Sequence, residues 1–396
     1  RAFARPGKIT KKRQRAENFN SSWIIVILIN SRTTKMSPNK PLSRTENRGI
    51  YAQLGVRTLI NAAGTYTTLS GSIMLPEVIA ALEDASKQYV EIEELQQVVG
   101  KRIAALVGVE AALVTSGCAA ALTLGTAACV YAVNKSSPEE TSNENVLKNQ
   151  VILQKSHRFS FDRAIRNVGV ELIEVETVNE LNNAINERTG MLFFLNFLDN
   201  ESKIGREEFA RIANREKIPA LIDAAADLPP VRNLRILVEM GYDLAAFSGG
   251  KGLCGPQSSG LLIGREELIK AAYLNGSPHE DSVGRIGKVS KEGIVGLLKA
   301  IELYLQRDHA ADWREWEHRV DLIRLTIDKL HTVRAEPFVP KIANEVPHLA
   351  ISWDPQVLGL TRTDVVNALR TGEPRIEVRP DESNEPKIEV AVWMLQ

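Results

Sequence analysis

The residue of this chain best suited to covalent chemistry is Lys251, which lies in a glycine-rich turn between two short apolar runs. The stretch reads Asp243-Leu-Ala-Ala-Phe-Ser-Gly-Gly-Lys251-Gly-Leu-Cys-Gly-Pro-Gln-Ser-Ser-Gly-Leu-Leu-Ile-Gly264. Because glycine has no side chain, the backbone of such a turn can approach a ligand closely. A lysine whose ammonium is partly desolvated there can lose its proton and attack a carbonyl carbon. The stretch therefore favours a Schiff-base lysine, and a solvated surface lysine in an ordinary turn is the alternative.

Loops that bind nucleotides explain the same glycines less well. The spacing of Gly250, Gly252 and Gly255 matches the dinucleotide fingerprint, which requires a helix directly after the glycines. Here Pro256 follows, and the apolar run 261–263 predicts a strand instead. A Walker A loop also fails, because its first glycine and the Ser or Thr after its lysine are both missing. We therefore do not expect a nucleotide at this turn.

An aspartate stands where a second apolar run ends, in Ala220-Leu-Ile-Asp223-Ala-Ala-Ala-Asp-Leu-Pro-Pro230. Ligands of parallel α/β sheets bind beyond the carboxyl ends of the strands, which is where Asp223 would lie. A buried carboxylate there needs a cationic partner, and the protonated pyridine nitrogen of pyridoxal phosphate is one. Ala225 would point the same way along the strand and leave room for a flat ring. The alternative is an aspartate that caps a helix or a turn.

Two more predicted strands run into polar residues. One is followed by Ser116, Gly117 and Cys118 and then by an alanine-rich stretch with good helix propensity. A strand, a tight turn and a helix N-terminus expose backbone N–H groups that can hold a phosphate. The other strand, 151–154, is followed by His157, which could stack on an aromatic cofactor. Taken singly, an N-cap serine and a structural or exposed histidine are the simpler interpretations.

Together these pieces resemble fold-type I pyridoxal-phosphate enzymes. Ser248 and Lys251 have a Ser-x-x-Lys spacing, and Asp223 lies 28 residues before the lysine. The motifs are most similar to the selenocysteine synthase-like group, which includes L-seryl-tRNA(Sec) selenium transferases and D-glucosaminate-6-phosphate ammonia-lyases. The resemblance runs from about residue 48 to the last residue. The motifs that carry it are Asn61-Ala-Ala-Gly-Thr-Tyr66, Val114-Thr-Ser-Gly-Cys-Ala-Ala120, Gln154-Lys-Ser-His-Arg158, Asp223-Ala-Ala-Ala-Asp227 and Ser248-Gly-Gly-Lys-Gly-Leu-Cys-Gly-Pro-Gln257.

The resemblance implies a role for each of these residues. Lys251 would form the internal aldimine with the cofactor, and Asp223 would keep the pyridine nitrogen protonated. His157 and Ala225 would pack on the two faces of the ring, so that Lys251, Asp223 and His157 would be the catalytic residues. The residues that would hold the cofactor phosphate are Ser116, Gly117, Cys118 and Ser248.

Anionic groups of the substrate would need a separate partner, because a carboxylate or phosphate favours a bidentate arginine. Arg285, Arg375 and Arg379 are the candidates. The group that the chain resembles works as dimers or larger rings with active sites at subunit interfaces. We therefore expect a homo-oligomer, in which segments 61–64 and 275–285 line the site from the same or a neighbouring subunit.

Composition narrows the class of protein without naming a reaction. With 396 residues the chain is long enough for about two domains and a large core. The 49 basic and 49 acidic residues give a formal net charge of zero, so global charge favours neither nucleic acid nor membrane. Cys118, Cys129 and Cys254 form no Cys-x-x-Cys pair and no metal-ligand spacing. We expect no metal site and a cytoplasmic location.

Strand and helix patterns alternate between residues 111 and 223, which predicts an α/β fold. The expected class is a fold-type I pyridoxal-phosphate-dependent transferase, with a mostly parallel sheet and helices on both faces. We place the large cofactor-binding domain at 48–309 and a smaller C-terminal α+β domain at 310–396. Residues 1–47 form an irregular, basic N-terminal extension.

Both ends of the chain depart from the resemblance. Position 1 is not Met, and Met36 begins a more ordinary leader, so we expect residues 1–35 to be an upstream extension of the gene model. A nucleic-acid-binding tail and a transit peptide are the alternatives. The last residues, 390–396, have the pattern of a strand and its exit, where relatives continue into a helix. We therefore expect the C-terminal domain to be truncated.

The predicted reaction is an α,β-elimination on an amino-acid-like substrate through a Schiff base with Lys251. The freed lysine would act as a base at Cα, and a leaving group at Cβ would depart. Residues 1–47 are too short and irregular for the folded tRNA-binding domain of a selenium transferase. This favours an ammonia-lyase of a phosphorylated amino-sugar acid or a similar small molecule, with tRNA not the expected partner. The alternatives are a selenocysteine synthase of the L-seryl-tRNA(Sec) selenium transferase type and a non-catalytic protein with this fold.

Overall fold

The computed structural model describes residues 49–134, 148–381 and 383–395. The extension expected at 1–47 lies outside these described residues. Within them the chain forms two compact units. The large unit comprises Ser70–Arg307 and Pro340–Glu345, and the small unit comprises the described parts of Arg1–Leu69, Asp308–Val339 and Val346–Gln396.

The strands and helices of the described ranges are numbered here in chain order. The strands are β1 Leu59–Ala62, β2 Ala111–Thr115, β3 Gln150–Gln154, β4 Glu171–Val175, β5 Thr189–Leu195, β6 Ala220–Asp223, β7 Leu244–Ser248, β8 Gly260–Gly264, β9 Val333–Phe338, β10 His348–Trp353, β11 Arg375–Val378 and β12 Lys387–Ala391. The helices are α1 Ile50–Gln53, α2 Pro76–Ser86, α3 Ile92–Val107, α4 Cys118–Asn134, α5 Arg163–Arg166, α6 Val178–Ala184, α7 Arg206–Glu216, α8 Asn233–Glu239, α9 Glu266–Leu274, α10 Lys291–Gln306, α11 His309–Ile327, α12 Pro355–Leu358 and α13 Arg362–Thr371. In the part of the chain that is described, none of these helices is long and apolar enough to cross a bilayer.

The large unit is built around a seven-stranded sheet in the order β2-β8-β7-β6-β5-β3-β4. Strand β8 runs antiparallel to both of its neighbours, β2 and β7, whereas the remaining neighbours pair in parallel. The carboxyl ends of β2, β3, β5, β6 and β7 therefore meet at one edge of the sheet, which is called the carboxyl edge below. The predicted α/β fold with a mostly parallel sheet is confirmed.

Alternate residues of the central strands face two separate layers of apolar side chains. All residues of β5 are buried, with Phe194 in one cluster and Phe193 in the other. The first cluster includes side chains of α3, α7, α8 and α10, and the second includes side chains of α4, α5 and α9. Helices therefore cover both faces of the sheet, and burial on both sides explains why β5 is apolar without alternation.

The small unit combines a three-stranded antiparallel sheet, β12-β10-β9, with the parallel pair β1–β11. Its core includes Trp316 of α11, Leu349 of β10 and Val390 of β12. Helix α13 begins with a capping box, in which Thr361 and Asp364 each accept the other's backbone N–H. The unit is thus α+β, with a smaller antiparallel sheet of its own.

The first described segment of the chain joins the small unit. Leu59 pairs in parallel with Arg375, and Ala62 with Val378, so β1 completes a sheet with a strand near the other end of the chain. A pairing between such distant positions leaves no local pattern in the sequence. The linear domain boundaries at 48 and 310 do not describe this arrangement in detail, and they stay a prediction.

Candidate functional site

The turn between β2 and α4 forms an open cradle at the carboxyl edge. It consists of Ser116, Gly117 and Cys118, and Gly117 has a φ of +128°, a conformation that favours glycine. A Cβ added to Gly117 would meet no atom within 4 Å, so the space in front of the turn is open. The 17-residue helix α4 begins here, and the free N–H groups of its first turn favour an anion.

Strand β8 supports the back of this cradle. A Cβ on Gly260 would lie 2.3 Å from the carbonyl carbon of Gly117, so a larger residue would displace the turn. In the sheet Gly260 is paired with Thr115 on one side and with Ser248 on the other. Ser248, which is half-buried at the end of β7, therefore lies on the same edge as the cradle.

The turn that carries Lys251 is held by close backbone contacts. The N–H of Gly249 donates to the carbonyl of Ser259 at 2.8 Å, at the end of the β7–β8 hairpin. A Cβ on Gly252 would lie 2.1 Å from the carbonyl oxygen of Leu228. The glycines thus allow the turn to pack directly against the segment that follows β6. Lys251 itself is half-buried.

Asp223 is the last residue of β6 and is 5% exposed. Its Oδ1 accepts a hydrogen bond from the N–H of Ala225 at 2.9 Å and lies 3.8 Å from Sγ of Cys118. Burial raises the pKa of this carboxyl, although the N–H of Ala225 and the charge of Lys251 oppose the rise. The pKa of Cys118 is raised chiefly by burial and next by Asp223, with Lys251 opposing. The lysine, the aspartate and the cradle, which were found as separate pieces of sequence, therefore lie together.

Ala225 lies outside the strand from which its role was inferred. Strand β6 ends at Asp223, and Ala225 is in the turn that follows. The alternation of side chains along a strand therefore does not fix its direction. Its N–H instead orients the Asp223 carboxyl. The contact of Ala225 with a cofactor ring stays a prediction.

His157 is completely buried, and both of its ring nitrogens are engaged. Nδ1 accepts the N–H of Leu195 at 3.2 Å, and Nε2 lies 2.7 Å from Oγ of Ser202. The edge of the ring meets Phe194, with 4.5 Å between ring centroids. Burial lowers the pKa of His157 to about 4, so the ring is neutral at physiological pH. Stacking on a cofactor requires an accessible ring face, which this burial does not provide, so the stacking role stays a prediction without structural support.

Arg285 is half-buried in the large unit. The segment that contains it lies against the cradle at 116–118, since a Cβ on Gly287 would be 3.2 Å from Oγ of Ser116. The backbone of this segment also forms an isolated parallel bridge between Gly276 and Gly284. Of the three candidate arginines, Arg285 is therefore the one that the large unit carries near the cradle.

The two other candidate arginines belong to the small unit and have carboxylate partners there. Arg375 donates from Nε to Glu377 at 2.9 Å. Arg379 lies 3.5 Å from the carboxylate of Glu389. Either arginine would have to exchange or share its partner in order to bind an anionic substrate. Their role in substrate binding stays a prediction.

Three polar residues near the site, Asp227, Asn196 and Arg206, received no role from the sequence analysis. Asp227 is 2% exposed and Asn196 is 1% exposed. Burial raises the pKa of Asp227 to about 7, although a hydrogen bond from Asn196 opposes the rise. Asn196 accepts a hydrogen bond from Nη1 of Arg206 at 3.1 Å. Asn196 directly follows the apolar strand β5. Asp223 was selected because an apolar run ends in a polar residue, and the same criterion could have found Asn196.

A family model described as SelA, L-seryl-tRNA selenium transferase, matches residues 59–338. The chain belongs to the SelA family. The matched part of this SelA-family chain includes Lys251, Asp223 and the cradle at 116–118. The resemblance to the selenocysteine synthase-like group, which was based on the motifs, is thereby confirmed.

Individual relatives of this SelA-family chain differ in their chemistry. A D-glucosaminate-6-phosphate ammonia lyase from Salmonella typhimurium is 27% identical over 341 residues, which cover 83% of this chain and 89% of the relative. A 5'-C-glycyluridine monooxygenase-decarboxylase from Streptomyces sp is 27% identical over 342 residues, which cover 83% of this chain and 84% of the relative. A solved structure of D-glucosaminate-6-phosphate ammonia-lyase matches with a TM-score of 0.73 at 26% identity, covering 91% of this chain and 95% of that one. The predicted fold-type I architecture is confirmed by this match.

Proposed function

We propose that this protein is a pyridoxal-phosphate-dependent enzyme that carries out an α,β-elimination on an amino-acid-like substrate. The best-supported activity is that of an ammonia-lyase acting on a phosphorylated amino-sugar acid. The observation that carries the proposal is the meeting of Lys251, Asp223 and an open phosphate cradle at the carboxyl edge. The similar ammonia lyase of Salmonella typhimurium and the matching solved structure support this class of substrate.

The residues at the carboxyl edge fit pyridoxal phosphate. The open space at Gly117 and the free N–H groups of α4 suit a phosphate group. The raised pKa of Asp223 indicates that the protein alone does not compensate its charge fully. A protonated ring nitrogen would supply the missing cation. A half-buried lysine stands beside both groups, as covalent attachment of the cofactor requires.

Each group of the site has a distinct task. When bound, pyridoxal phosphate supplies an electron sink that stabilises negative charge at Cα of an amino substrate. Lys251 would hold the cofactor and, once free, take the proton from Cα of the substrate. Asp223 would keep the ring nitrogen protonated through its buried carboxylate. The residues that would bind the phosphate are Ser116, Gly117, Cys118 and Ser248.

His157 would act on the backbone rather than on the reacting atoms. Its Nδ1 fixes the N–H of Leu195, the residue immediately before Asn196. A neutral imidazole is required for this, because a protonated Nδ1 could not accept the bond. His157 would thus position the end of β5 beside the site. Direct stacking of His157 on the cofactor is the alternative.

The substrate is expected to carry at least one anionic group besides its amine. Arg285 is the first candidate for binding it, because its segment lies against the cradle. Arg375 and Arg379 remain candidates at lower priority, since Glu377 and Glu389 already engage them. A homo-oligomer and a cytoplasmic location complete the proposal.

A selenocysteine synthase activity of the L-seryl-tRNA(Sec) selenium transferase type is the second candidate. The description of the family model that matches residues 59–338 favours it. A non-catalytic protein with this fold is disfavoured, because such a protein would have no need to retain both Lys251 and Asp223.

The first experiment tests attachment of the cofactor. Purified protein is mixed with pyridoxal phosphate, and its near-visible absorbance is recorded before and after borohydride. We expect a band that borohydride abolishes, with the cofactor fixed to Lys251 in the peptide map. Lys251→Ala should show no band, whereas Lys270→Ala, which removes an exposed lysine of α9, should behave as the wild type. A wild type without the band contradicts the proposal.

The second experiment identifies the reaction. The loaded protein is given D-glucosaminate 6-phosphate, and ammonia and a 2-keto acid are measured in the same samples. Equal amounts of both products support the ammonia-lyase. Conversion of seryl-tRNA in the presence of a selenium donor, without release of ammonia from the sugar acid, supports the second candidate instead. Lys251→Ala must abolish whichever activity is found.

A further inference from the structure

The small unit has a cavity of about 430 Å³ at one end of its three-stranded sheet. The cavity lies where β9 begins and β10 ends, and these two positions are neighbours because the strands are antiparallel. Its lining residues come from the segment before β9, from the two strands and from the segment of α12 that follows β10. The volume falls within the range of about 300–1,000 Å³ that is usual for sites of small molecules.

Arg334 of β9 contributes to this cavity a guanidinium that has no partner. Its side chain makes no ion pair or hydrogen bond with the described residues. Each of the eight other arginines described in the small unit lies 2.5–3.9 Å from a carboxylate oxygen. Arg334 is therefore available for an anionic ligand, and a guanidinium binds a carboxylate through two parallel hydrogen bonds.

The pairing of the strands determines which face of the sheet carries Arg334. Arg334 lies directly opposite Ser352 of β10, so the two side chains share one face. The neighbours of Ser352 along β10, Ile351 and Trp353, belong to the core of the small unit. Because successive side chains of a strand point to opposite faces, Arg334 and Ser352 face away from the core. Both of them line the cavity.

The cavity is also lined by a carboxylate, that of Asp354. Its Oδ1 accepts the N–H of Gln356 at 2.8 Å at the start of α12, and a carboxylate has a second oxygen for a ligand. Asp354 and Arg334 form no ion pair, so their charged atoms are more than 4.0 Å apart. A ligand with one positive and one negative group can bridge the two, whereas Asp354 would repel a ligand that is only anionic.

The other lining residues offer apolar surface and hydrogen-bonding groups. Val357 of α12 is 61% exposed and gives the cavity an apolar wall. Thr332 and Ser352 add hydroxyls, which can donate or accept hydrogen bonds, and His331 adds an imidazole. The cavity thus has room for an apolar group beside the two opposite charges.

We propose that this cavity is a binding site for an α-amino acid with an apolar side chain. Arg334 binds the carboxylate of the ligand, Asp354 binds its ammonium group, and Val357 contacts its side chain. Such a ligand carries both charges on one carbon atom and can therefore lie between two charged residues that do not touch. The inference does not depend on the proposed function, because this ligand has neither a phosphate nor a leaving group at Cβ.

The test uses L-leucine as the probe and isothermal titration calorimetry as the measurement. The full-length protein is first treated with pyridoxal phosphate and borohydride, so that a bound cofactor can no longer react with an amine. Protein that traps no cofactor is titrated in the same way, and the proposed function can therefore fail without affecting this test. We expect one saturable site per chain. A titration without saturable binding overturns the proposal.

Two analogues of the probe test the two charged contacts separately. Isocaproate is leucine without its ammonium group, and isoamylamine is leucine without its carboxylate. We expect each analogue to bind at least about tenfold more weakly than L-leucine, because one charged hydrogen bond is lost. An analogue that binds as tightly as L-leucine overturns the site with two charges.

Three variants test whether the probe binds in this cavity. Arg334→Gln and Asp354→Asn should each weaken the binding of L-leucine at least about tenfold, and asparagine can still cap α12. Arg314→Gln is the matched control, because it removes an exposed arginine of α11 that already has a carboxylate partner. Wild-type affinity in Arg334→Gln overturns the proposal.

Chemical labelling of the unmutated protein gives the same answer without relying on the folding of a variant. Phenylglyoxal modifies accessible arginines, and the rate is measured for each arginine-containing peptide by mass spectrometry. We expect L-leucine to slow the modification of Arg334 and to leave that of Arg314 unchanged. An equal rate at Arg334 with and without L-leucine contradicts the proposed site.

Discussion

Asp223 illustrates how a buried carboxyl can lower the stability of the folded protein. Burial raises its pKa, which means that the folded protein disfavours its charge. Asp223→Asn removes that charge and can still accept the N–H of Ala225. We expect the apoprotein of this variant to melt at the same temperature as the wild type or higher at alkaline pH. We also expect the turnover number to fall about a hundredfold or more, because the proposed carboxylate partner of the ring nitrogen is lost and the electron sink is weakened. Calorimetry and steady-state kinetics check the two parts, and a clearly less stable apoprotein would contradict the first.

Asp227 should make the stability of the apoprotein depend on pH in an unusual direction. Its pKa in the folded protein, about 7, lies above the ordinary value of 3.8, so the folded state binds the proton more tightly. This contribution is complete below about pH 4 and is lost as the pH rises through about 7, with a total of about 4 kcal/mol. Asp227→Asn should flatten this part of the profile in urea unfolding. Equal slopes for wild type and variant between these pH values would refute the assignment.

His157 should have the opposite effect. Burial lowers its pKa from 6.5 to about 4, so the unfolded chain binds the proton more tightly. Stability from this residue is complete above about pH 6.5 and falls by about 3 kcal/mol as the pH drops towards 4. His157→Gln should remove this loss, and His348→Gln provides the comparison, since burial also lowers the pKa of His348 to about 4. Unfolding curves that keep the full acid sensitivity in His157→Gln would speak against the buried neutral ring.

Single residues were predictable where a strand ends in a polar residue. Asp223 and the cradle at 116–118 were singled out in this way, because an apolar run that meets a polar residue is a clear local change in hydropathy. The burial of His157 was not predictable, since its partners Leu195 and Ser202 are distant in sequence. The turn at Ala225 was missed because an alanine run looks the same in a strand and beyond it.

The contact between β8 and the β2–α4 turn leaves no room for a side chain. Gly260→Ala would place a Cβ 2.3 Å from the carbonyl carbon of Gly117, so the cradle must move. We expect the affinity for pyridoxal phosphate to fall at least about tenfold, since in the proposed function this turn holds the phosphate in a fixed position. Gly205→Ala is the matched control, because a Cβ on Gly205 meets no atom within 4 Å. Fluorescence titration of both variants measures the difference, and equal affinities would show that the cradle is not the phosphate site.

Strands and helices were predictable where their partners are close in the sequence. The alternation of apolar strands and helices predicted the parallel sheet. Two parallel neighbours need a crossover connection between them, and this connection is usually a helix. The pairing of β1 with β11 could not be inferred, since a four-residue strand gives no indication of a partner elsewhere in the chain. The small unit therefore had to be drawn as a continuous C-terminal domain, although it includes residues near the start of the described chain.

The charge balance of the whole chain has a practical consequence. Its 49 basic and 49 acidic residues give a formal net charge of zero, and the isoelectric point is about 7.2. A protein without net charge lacks the repulsion that keeps molecules apart in solution. We expect solubility to be lowest near neutral pH and to rise on both sides. Precipitation with polyethylene glycol across a pH series checks this, and solubility that changes steadily in one direction would contradict it.

The pairing of β1 with β11 also determines when each part of the chain can fold during synthesis. The small unit needs a strand that ends at Val378 before β1 has its partner, so β1 must wait until that strand has been synthesised. The large unit has all of its strands once Gly264 has emerged. Domains generally fold as units as they leave the ribosome. Protease resistance of chains stalled beyond Glu345 would report on this order. Lys251 can therefore reach its position in the large unit while the strands β9 to β12 of the small unit are still being made.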